Sequence, residues 1–480
     1  MSHYTFDWIV GIGIVLIHTA GLIAAVHAAL TARTSQGAIA WAVSLAFMPY
    51  LALIPYLIFG RSKFAGYVDA HRTKNRQLRK ITSHIDWGKA MSVGIAAADD
   101  AVRADIDTLA HLTHAAVTGG NDVRLLINGD QAFSAILAAI TAARKYIIVQ
   151  FFIISDDGLG RRLKDCLLVK AAQGVPVYFL FDGIGSHALP PEYVNELRAA
   201  GVEAHKFVTR RRWISRFLLN FRNHRKIVVV DGEAAFIGGL NVGDEYLGLR
   251  PPLSPWRDTH IEVRGPAVTG IQLAFIEDWY WVTHAVPDLD WDPALSDSDM
   301  HCQVVPSGPA DELETCALFF VQAINSARTR VWITTPYFVP DEAVFVALKL
   351  AALRGVDVRL LIPSRPDHFI VYQASSFYAH EAVCSGIKVY RYKPGFLHQK
   401  VILIDGEAAA VGSANLDNRS FRLNFEITVL TLDRRFAAAV EAMLLHDFAQ
   451  SRAVRRAEYE KASFRRRGIM RLARLFAPIL

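Results

Sequence analysis

Cysteine is nearly absent. The four in 480 residues, Cys166, Cys302, Cys316 and Cys384, form no CxxC pair and have no metal-ligand spacing. Free thiols are the expectation, and so little cysteine agrees with a reducing compartment. No compact His/Asp/Glu cluster stands out as a metal site, and two histidines with two lysines can manage phosphate charge without one. Gly11-Ile12-Gly13 lies inside an apolar run and follows no soluble strand, so it is no nucleotide loop. Neither a metal nor a cofactor is expected. Charge is missing altogether from Trp8 to Leu30 and from Ala38 to Phe59. Each run exceeds the roughly 20 residues that cross a hydrocarbon core about 30 Å thick. The expectation is a two-helix transmembrane hairpin, residues 8–30 and 38–59, turning at Thr31 to Gly37. His18, His27, Pro49 and Pro55 inside these runs are tolerated in bundles. The first seven residues carry no Lys or Arg and a second run follows at once, which disfavours a cleaved signal peptide.

What charge there is has a place. The net +6 comes from 52 basic and 46 acidic residues. Arg61, Lys63, Arg72, Lys74, Arg76, Arg79 and Lys80 follow the second run, whereas the turn carries only Arg33. The positive-inside rule then puts the following domain, and the start of the first span, on the cytoplasmic side of the membrane. The basic run sets topology, and near a surface it also attracts anionic headgroups by about 1 kcal/mol per residue.

One pattern occurs twice. His224-Arg225-Lys226 precedes Ile227-Val228-Val229-Val230-Asp231 and closes at Gly238-Gly239-Leu240-Asn241. His398-Gln399-Lys400 precedes Val401-Ile402-Leu403-Ile404-Asp405 and closes at Gly412-Ser413-Ala414-Asn415. Identical internal spacing in both marks an internal duplication. The β-branched runs read as buried strands, and strand alternation puts each His and its Lys on one face. Lys and Asn donate to phosphate oxygens, and small residues let the backbone approach. Two facing half-sites supply one histidine to attack phosphorus and another to protonate the leaving oxygen.

Strands and helices alternate around these motifs. Strands are read near 123–127, 146–154, 175–181, 331–335 and 356–362, with helices near 132–144, 161–173, 318–328 and 343–354. That alternation predicts an α/β fold with largely parallel sheets flanked by helices. The expected domains are the hairpin to residue 60, a basic juxtamembrane segment with connecting helices at 61–120, and a first repeat at 121–287. A linker at 288–309, a second repeat at 310–450 and a basic amphipathic tail at 451–480 complete the chain. Arg210 to Arg222 interleaves arginines with aromatics and leucines, which suits a membrane surface, single-stranded nucleic acid, or an ordinary half-exposed segment. The tail, with Phe464, Arg465, Arg466, Arg467, Arg471, Arg474 and the run Leu475 to Leu480, suits either a membrane surface or a helix packed on the core.

The two motifs resemble the paired HKD motifs of the phospholipase D superfamily, and within it the bacterial cardiolipin synthases. Asn223-His224-Arg225-Lys226, Trp256-Arg257-Asp258-Thr259-His260, Asn415 to Ser420 and Asn424-Phe425-Glu426 resemble that family's extended pattern. The resemblance implies two repeats related by a pseudo-two-fold axis and a catalytic set of His224, Lys226, Asp231, His398, Lys400 and Asp405. It implies a covalent phosphatidyl-histidine, with His224 as nucleophile and His398 as acid, then base. Lys226, Lys400, Asn241 and Asn415 would hold the non-bridging oxygens, with Gly239 and Ser413 in support. Asp231 and Asp405 sit too far along for proton relay and are expected to be structural. Asp258 and Glu426 are the candidates to orient the imidazoles; the alternative is ordinary ion pairing to Arg257 or Arg419. The implied partners are the bilayer and its phospholipids, phosphatidylglycerol and cardiolipin, and not nucleic acid. A hydrolase, a transferase with another alcohol acceptor, and a nucleic-acid phosphodiesterase are the rival readings.

Overall fold

The computed structural model describes residues 3–32, 34–60, 100–113, 115–208, 221–292 and 294–480. The basic run from Arg61 to Lys80 and most of the arginine-rich stretch, Arg210 to Asn220, lie outside the described residues. The chain divides into two compact units, one holding the N-terminal helices, the other containing Asp100 to Phe207 and Arg222 to Leu480.

In the first unit a helix runs from His3 to Thr31, and its stretch Asp7–Thr31 is long and apolar enough to cross a membrane. The second arm is not the single span expected at 38–59. It is two helices, Ser35–Phe47 and Pro49–Phe59. Pro49 lacks an N–H and restricts its predecessor, and Met48 leaves the helical region at φ −134°, ψ 52°. The arms touch through close backbone approach and a hydrogen-bonded polar pair. A methyl group on Gly21 would stand 2.6 Å from the Leu45 carbonyl. His27 Nδ1 lies 2.6 Å from Tyr56 Oη. Polar atoms within the pair satisfy each other where no water would.

The second unit is built on one 16-stranded mixed sheet. The first repeat contributes β1 (Thr118–Ile127), β2 (Ile147–Phe151), β3 (Val177–Asp182), β4 (Glu203–Phe207), β5 (Arg222–Asn223), β6 (Ile227–Val230), β7 (Ala234–Gly238), β8 (Trp256–Arg257) and β9 (Thr259–Arg264). The second contributes β10 (Met300–Ser307), β11 (Arg330–Thr334), β12 (Phe338–Val339), β13 (Asp357–Pro363), β14 (Lys388–Tyr392), β15 (Phe396–Leu397), β16 (Val401–Ile404), β17 (Ala408–Gly412), β18 (Leu416–Asp417) and β19 (Asn424–Leu432). Read outward from the centre, one half runs β1-β9-β7-β6-β2-β3-β4 and the other β10-β19-β17-β16-β11-β13-β14. Parallel pairs β2–β3 and β11–β13 meet antiparallel β6 and β16 in the same way. The halves join where β1 and β10 pair antiparallel, so the pseudo-two-fold relation passes between them. Helices cover the sheet, and each repeat has its own core, around Phe179 and Leu163 in one and Leu360 and Leu348 in the other.

Two boundaries read from the sequence are corrected. The expected linker, 288–309, contains β10, which is the counterpart of β1 and a central strand rather than a connection. The tail expected from 451 begins with a further strand, Ser451–Ala453, on the edge beside β14. Local chemistry repeats as well. Helices Gly158–Ala172 and Glu342–Leu353 both end in a left-handed glycine, Gly174 (φ 83°) and Gly355 (φ 85°). In both, the next residue's N–H bonds back into the last turn, Val175 to Lys170 at 3.1 Å and Val356 to Ala351 at 3.1 Å. A side chain at that φ would be strained, so glycine marks the same corner twice. All four cysteines are free.

Candidate active site

The two motifs are stitched together by strands that cross between repeats. Short β5, just before His224, pairs in parallel with the start of β19 in the second repeat. Short β15, just before His398, pairs in parallel with β8 in the first. The backbone N–H of His224 donates to the Phe425 carbonyl at 2.9 Å, and that of His398 to the Arg257 carbonyl at 2.8 Å. Each acceptor is the residue immediately before a carboxylate. As a result His224 Nδ1 meets Glu426 Oε2 at 2.9 Å, and His398 Nδ1 meets Asp258 Oδ2 at 2.8 Å. Each histidine is held by the carboxylate of the other repeat. Arg257, the rival partner for Asp258, pairs with Asp447 at 2.8 Å.

Register shows why the two carboxylates are equivalent. Gly238 lies opposite His260, and Gly412 opposite Thr428. Asp258 and Glu426 each stand two residues before. The small residues behind the motifs serve these carboxylates. A Cβ on Gly239 would be 2.1 Å from Asp258 Oδ1, so only glycine leaves Asp258 its place. At the matching position Ser413 Oγ donates to Glu426 Oε2 at 2.5 Å. Glu426 also accepts from Ser420 Oγ at 2.9 Å and Asn424 Nδ2 at 3.1 Å. Asp258 accepts from the Thr259 N–H at 2.8 Å. In the sequence, Ser420 and Asn424 stand out only through the family pattern. Their chemistry becomes visible once Glu426 is seen to need donors.

Both carboxylates are fully buried and flanked by cations. Against the effect of burial, His398 and Lys400 hold Asp258 below the usual carboxylate range, and His224 and Lys226 do the same for Glu426. An ionised carboxylate only accepts, so Nδ1 of each imidazole carries the proton and Nε2 keeps its lone pair. Burial, opposed by Glu426 and reinforced by Lys226, brings His224 down to about 4. Burial and Lys400, opposed by Asp258, bring His398 to about 4. Burial also lowers Lys226 to about 7 and Lys400 to about 8, each opposed by the same two carboxylates. The lysines are clamped by the motif backbone: Lys226 Nζ donates to the His224 carbonyl at 2.6 Å and Lys400 Nζ to that of His398 at 2.5 Å. Aromatic rings stand against both imidazoles. Phe152 stands edge-on to His224 at 5.0 Å, while Trp256 (5.1 Å) and Phe396 (5.9 Å) flank His398.

Asn241 accepts from the Ile153 N–H at 3.2 Å and donates to Tyr246 Oη at 3.1 Å. Asn415 donates to Asp417 at 3.1 Å. One amide hydrogen on each remains for a ligand.

Asp231 and Asp405 stand elsewhere. Each lies five residues after its lysine, roughly 16 Å along a strand. Each takes a left-handed φ, 57° and 52°, at the turn. Asp231 accepts backbone N–H bonds from Arg144, Lys145 and Tyr146. Asp405 accepts from Arg328, Thr329 and Arg330. They tie the motif turn to the loop that enters the neighbouring strand. Asp231→Ala is expected to lose roughly 2–3 kcal/mol of stability, because buried amides lose their acceptor. Its turnover per folded molecule should stay near that of the parent protein, as read from thermal melts beside active-site-normalised rates.

Behind the histidines lies a second buried layer. Arg225 pairs with Asp278 at 3.0 Å and reaches the Glu426 carbonyl across the repeat boundary at 3.1 Å. In the other half Gln399 donates to Asp447 at 2.7 Å, and Asp447 also holds Arg257 from the first repeat. The residue between His and Lys in each motif thus locks the two repeats together.

Comparison with known proteins agrees with this architecture. The family described as "Cardiolipin synthase, PLD-like domain" matches residues 136–250 and 320–448. The family described as "Phospholipase_D-nuclease N-terminal" matches residues 20–61. Cardiolipin synthase A of Pseudomonas aeruginosa (strain LESB58) is 57% identical over 98% of this chain and 96% of its own length. Cardiolipin synthase A of Pseudomonas putida is 55% identical over 100% of this chain and 99% of its own. The crystal structure of phosphatidylserine synthase from Haemophilus influenzae Rd KW20 superposes with a TM-score of 0.58 at 15% identity, covering 75% of this chain and 95% of that one. That similarity reports the shared fold. With a duplicated histidine–lysine motif, a sheet of two symmetric halves and relatives of this identity over its whole length, the chain belongs to the cardiolipin synthases of the phospholipase D superfamily.

Proposed function

We propose that the chain joins two phosphatidylglycerol molecules into cardiolipin and releases glycerol. The observation that carries the reading is the pair of buried imidazoles, each with its Nδ1 on a carboxylate of the other repeat. In the first step His224 Nε2 attacks phosphorus, and His398 gives a proton to the departing glycerol oxygen. In the second, neutral His398 takes the proton from a hydroxyl of the second phosphatidylglycerol, whose oxygen displaces His224 from phosphorus. Lys226, Lys400, Asn241 and Asn415 hold the non-bridging oxygens, and Gly239 and Ser413 keep the carboxylates seated. Phe152, Trp256 and Phe396 beside the imidazoles offer apolar contact to a lipid substrate. Membrane placement follows the same reading: a multi-pass anchor with the catalytic unit on the cytoplasmic side, in line with the basic run after residue 60.

Purified protein in detergent with headgroup-labelled phosphatidylglycerol tests this directly. Cardiolipin and free glycerol in equal amounts are expected. Phosphatidic acid in place of cardiolipin would make water the acceptor, and turnover only of another headgroup would change the acceptor class.

The low histidine pKa values lead to a further expectation. Near pH 7 both imidazoles are neutral before substrate arrives, yet the first step needs one protonated. A phosphodiester anion beside them favours the protonated form. Binding a non-cleavable phosphonate analogue should therefore take up about one proton or more at pH 7, shared by the coupled imidazoles and by Lys226, whose value of about 7 leaves it half protonated there. Calorimetry in buffers of different ionisation heat reads this number, and zero uptake would require another source for the acid's proton.

A further inference from the structure

The helix Phe464–Arg474 is arranged back to front for a helix packed on a soluble core. Its docked side carries small or slender residues. Met470 and Ala473 are buried, as is Ala477 in the 3₁₀ turn Ala477–Ile479 that follows, and Ala473 and Ala477 cluster with Val339 and Ala374. At 3.6 residues per turn, Phe464, Leu472 and Leu475 fall on the opposite side. They are 84%, 62% and 73% exposed. Beside them the N-terminal turn of helix Phe369–Cys384 leaves Phe369 and Ile370 exposed as well, and Val371 from that turn packs onto the same small cluster.

The charge of this helix is equally one-sided. It holds Arg465, Arg466, Arg467, Arg471 and Arg474 and no acidic residue. Among the described residues none of these arginines pairs with a carboxylate. Three of them crowd the first turn, where the helix dipole already presents positive potential and a cation is disfavoured. An external anion would relieve that repulsion. An outward apolar stripe bordered by arginines without carboxylate partners, with Arg474 resting over the Phe377 ring at 4.9 Å, is the pattern of a helix that lies in a membrane interface. Guanidinium groups suit phosphate and carry apolar stems into the acyl boundary.

The patch is wired to the reacting groups. The Arg419 N–H donates to the Leu480 carbonyl at 2.9 Å, and Arg419 Nη1 to the Ile479 carbonyl at 3.2 Å. Arg419 belongs to the short helix Asn418–Arg422, which also carries Ser420, a donor to Glu426. From the other edge, His368 stands 6.3 Å from Tyr337, and Tyr337 stands 6.5 Å edge-on to His398.

We infer that this tail helix, with Phe369 and Ile370, is the surface by which the catalytic unit docks on an anionic phospholipid bilayer at the mouth of the His398 half-site. The inference rests on the lipid reading above in taking a bilayer as the partner, but its test is separate from turnover.

A fluorophore sensitive to polarity is placed on Leu472→Cys in full-length protein, with exposed Cys384 and half-buried Cys166 replaced by Ser. The protein is reconstituted in vesicles containing spin-labelled lipid. The emission is expected to shift to the blue and to be quenched in phosphatidylglycerol vesicles, and much less in phosphatidylcholine vesicles. Phe464→Asp with Leu475→Asp should abolish the quenching at an unchanged melting temperature. It should also raise the apparent KM for vesicle substrate about tenfold while leaving kcat in detergent micelles alone. A label left unquenched in phosphatidylglycerol vesicles that still yield cardiolipin would overturn the docking surface. Equal quenching in both lipids would overturn its anionic specificity. Quenching without phosphatidylglycerol turnover would support the surface and count against the proposed reaction.

Discussion

His224→Ala and His398→Ala are each expected to leave no measurable cardiolipin, with a loss on the order of 10⁵-fold or more. The size follows from the roles. Without His224 no covalent intermediate forms, and no neighbouring side chain replaces it, because Lys226 is tied to the motif backbone. Without His398 the departing glycerol oxygen leaves as an alkoxide, and the second alcohol has no base. The losses are not additive, since both residues serve one reaction cycle. Initial rates of labelled cardiolipin formation read the effect. A double variant no slower than either single one is the expected pattern. The folded state should survive both changes, for neither imidazole belongs to the apolar cores around Phe179 and Leu360.

Glu426→Gln and Asp258→Asn are expected to cost about 10³–10⁴-fold each, the scale set by losing the carboxylate behind a catalytic imidazole. An amide in place of either carboxylate offers a donor where Nδ1–H needs an acceptor. The ring then turns or changes tautomer, and Nε2 acquires the proton that it should lack. Each variant should resemble the histidine of the opposite motif. Glu426→Gln should fail as His224→Ala fails, although Glu426 follows His398 in the chain. Asp258→Asn should fail as His398→Ala fails. Conservative Glu426→Asp retains charge but shortens the reach, and recovery of part of the rate there would separate orientation from packing.

This crossing is the part of the site that the chain order conceals. The identities of His224, Lys226, His398 and Lys400 were legible because their spacing repeats, and Asp258 and Glu426 stood out as carboxylates after each motif. Which carboxylate serves which ring depends on β5 reaching β19 and β15 reaching β8. Those are two-residue pairings across the repeat boundary, and no local periodicity announces them. Gly239 and Ser413 were read as making room for phosphate. Their neighbours turn out to be Asp258 and Glu426 themselves.

The same division holds for the fold. Strands such as Ile147–Phe151 and helices such as Gly158–Ala172 declared themselves by apolar runs and periodicity. β10 did not. It sits in an Asp- and Pro-rich stretch and contains Pro306, a residue that usually demotes a strand, yet it pairs with both β1 and β19 at the junction of the halves. Pro49 was visible in the second apolar run, but a proline inside a bundle is compatible with a kink or a break. The backbone at Met48 decides for a break.

The most direct test of crossed catalytic pairs is to trap the covalent intermediate with a phosphatidyl ester of p-nitrophenol, whose leaving group needs no acid. The protein is quenched in denaturant at neutral pH, because the phosphorus–nitrogen bond is labile to acid, then digested, and the phosphatidylated peptide is identified by mass. The expected result is an adduct on His224 that accumulates in His398→Ala and in Asp258→Asn, because deprotonation of the second alcohol fails in both. His224→Ala and Glu426→Gln should form none. An adduct on His224 that accumulates in Glu426→Gln and is missing from Asp258→Asn would mean that each carboxylate serves the histidine of its own repeat, and would contradict the crossed site.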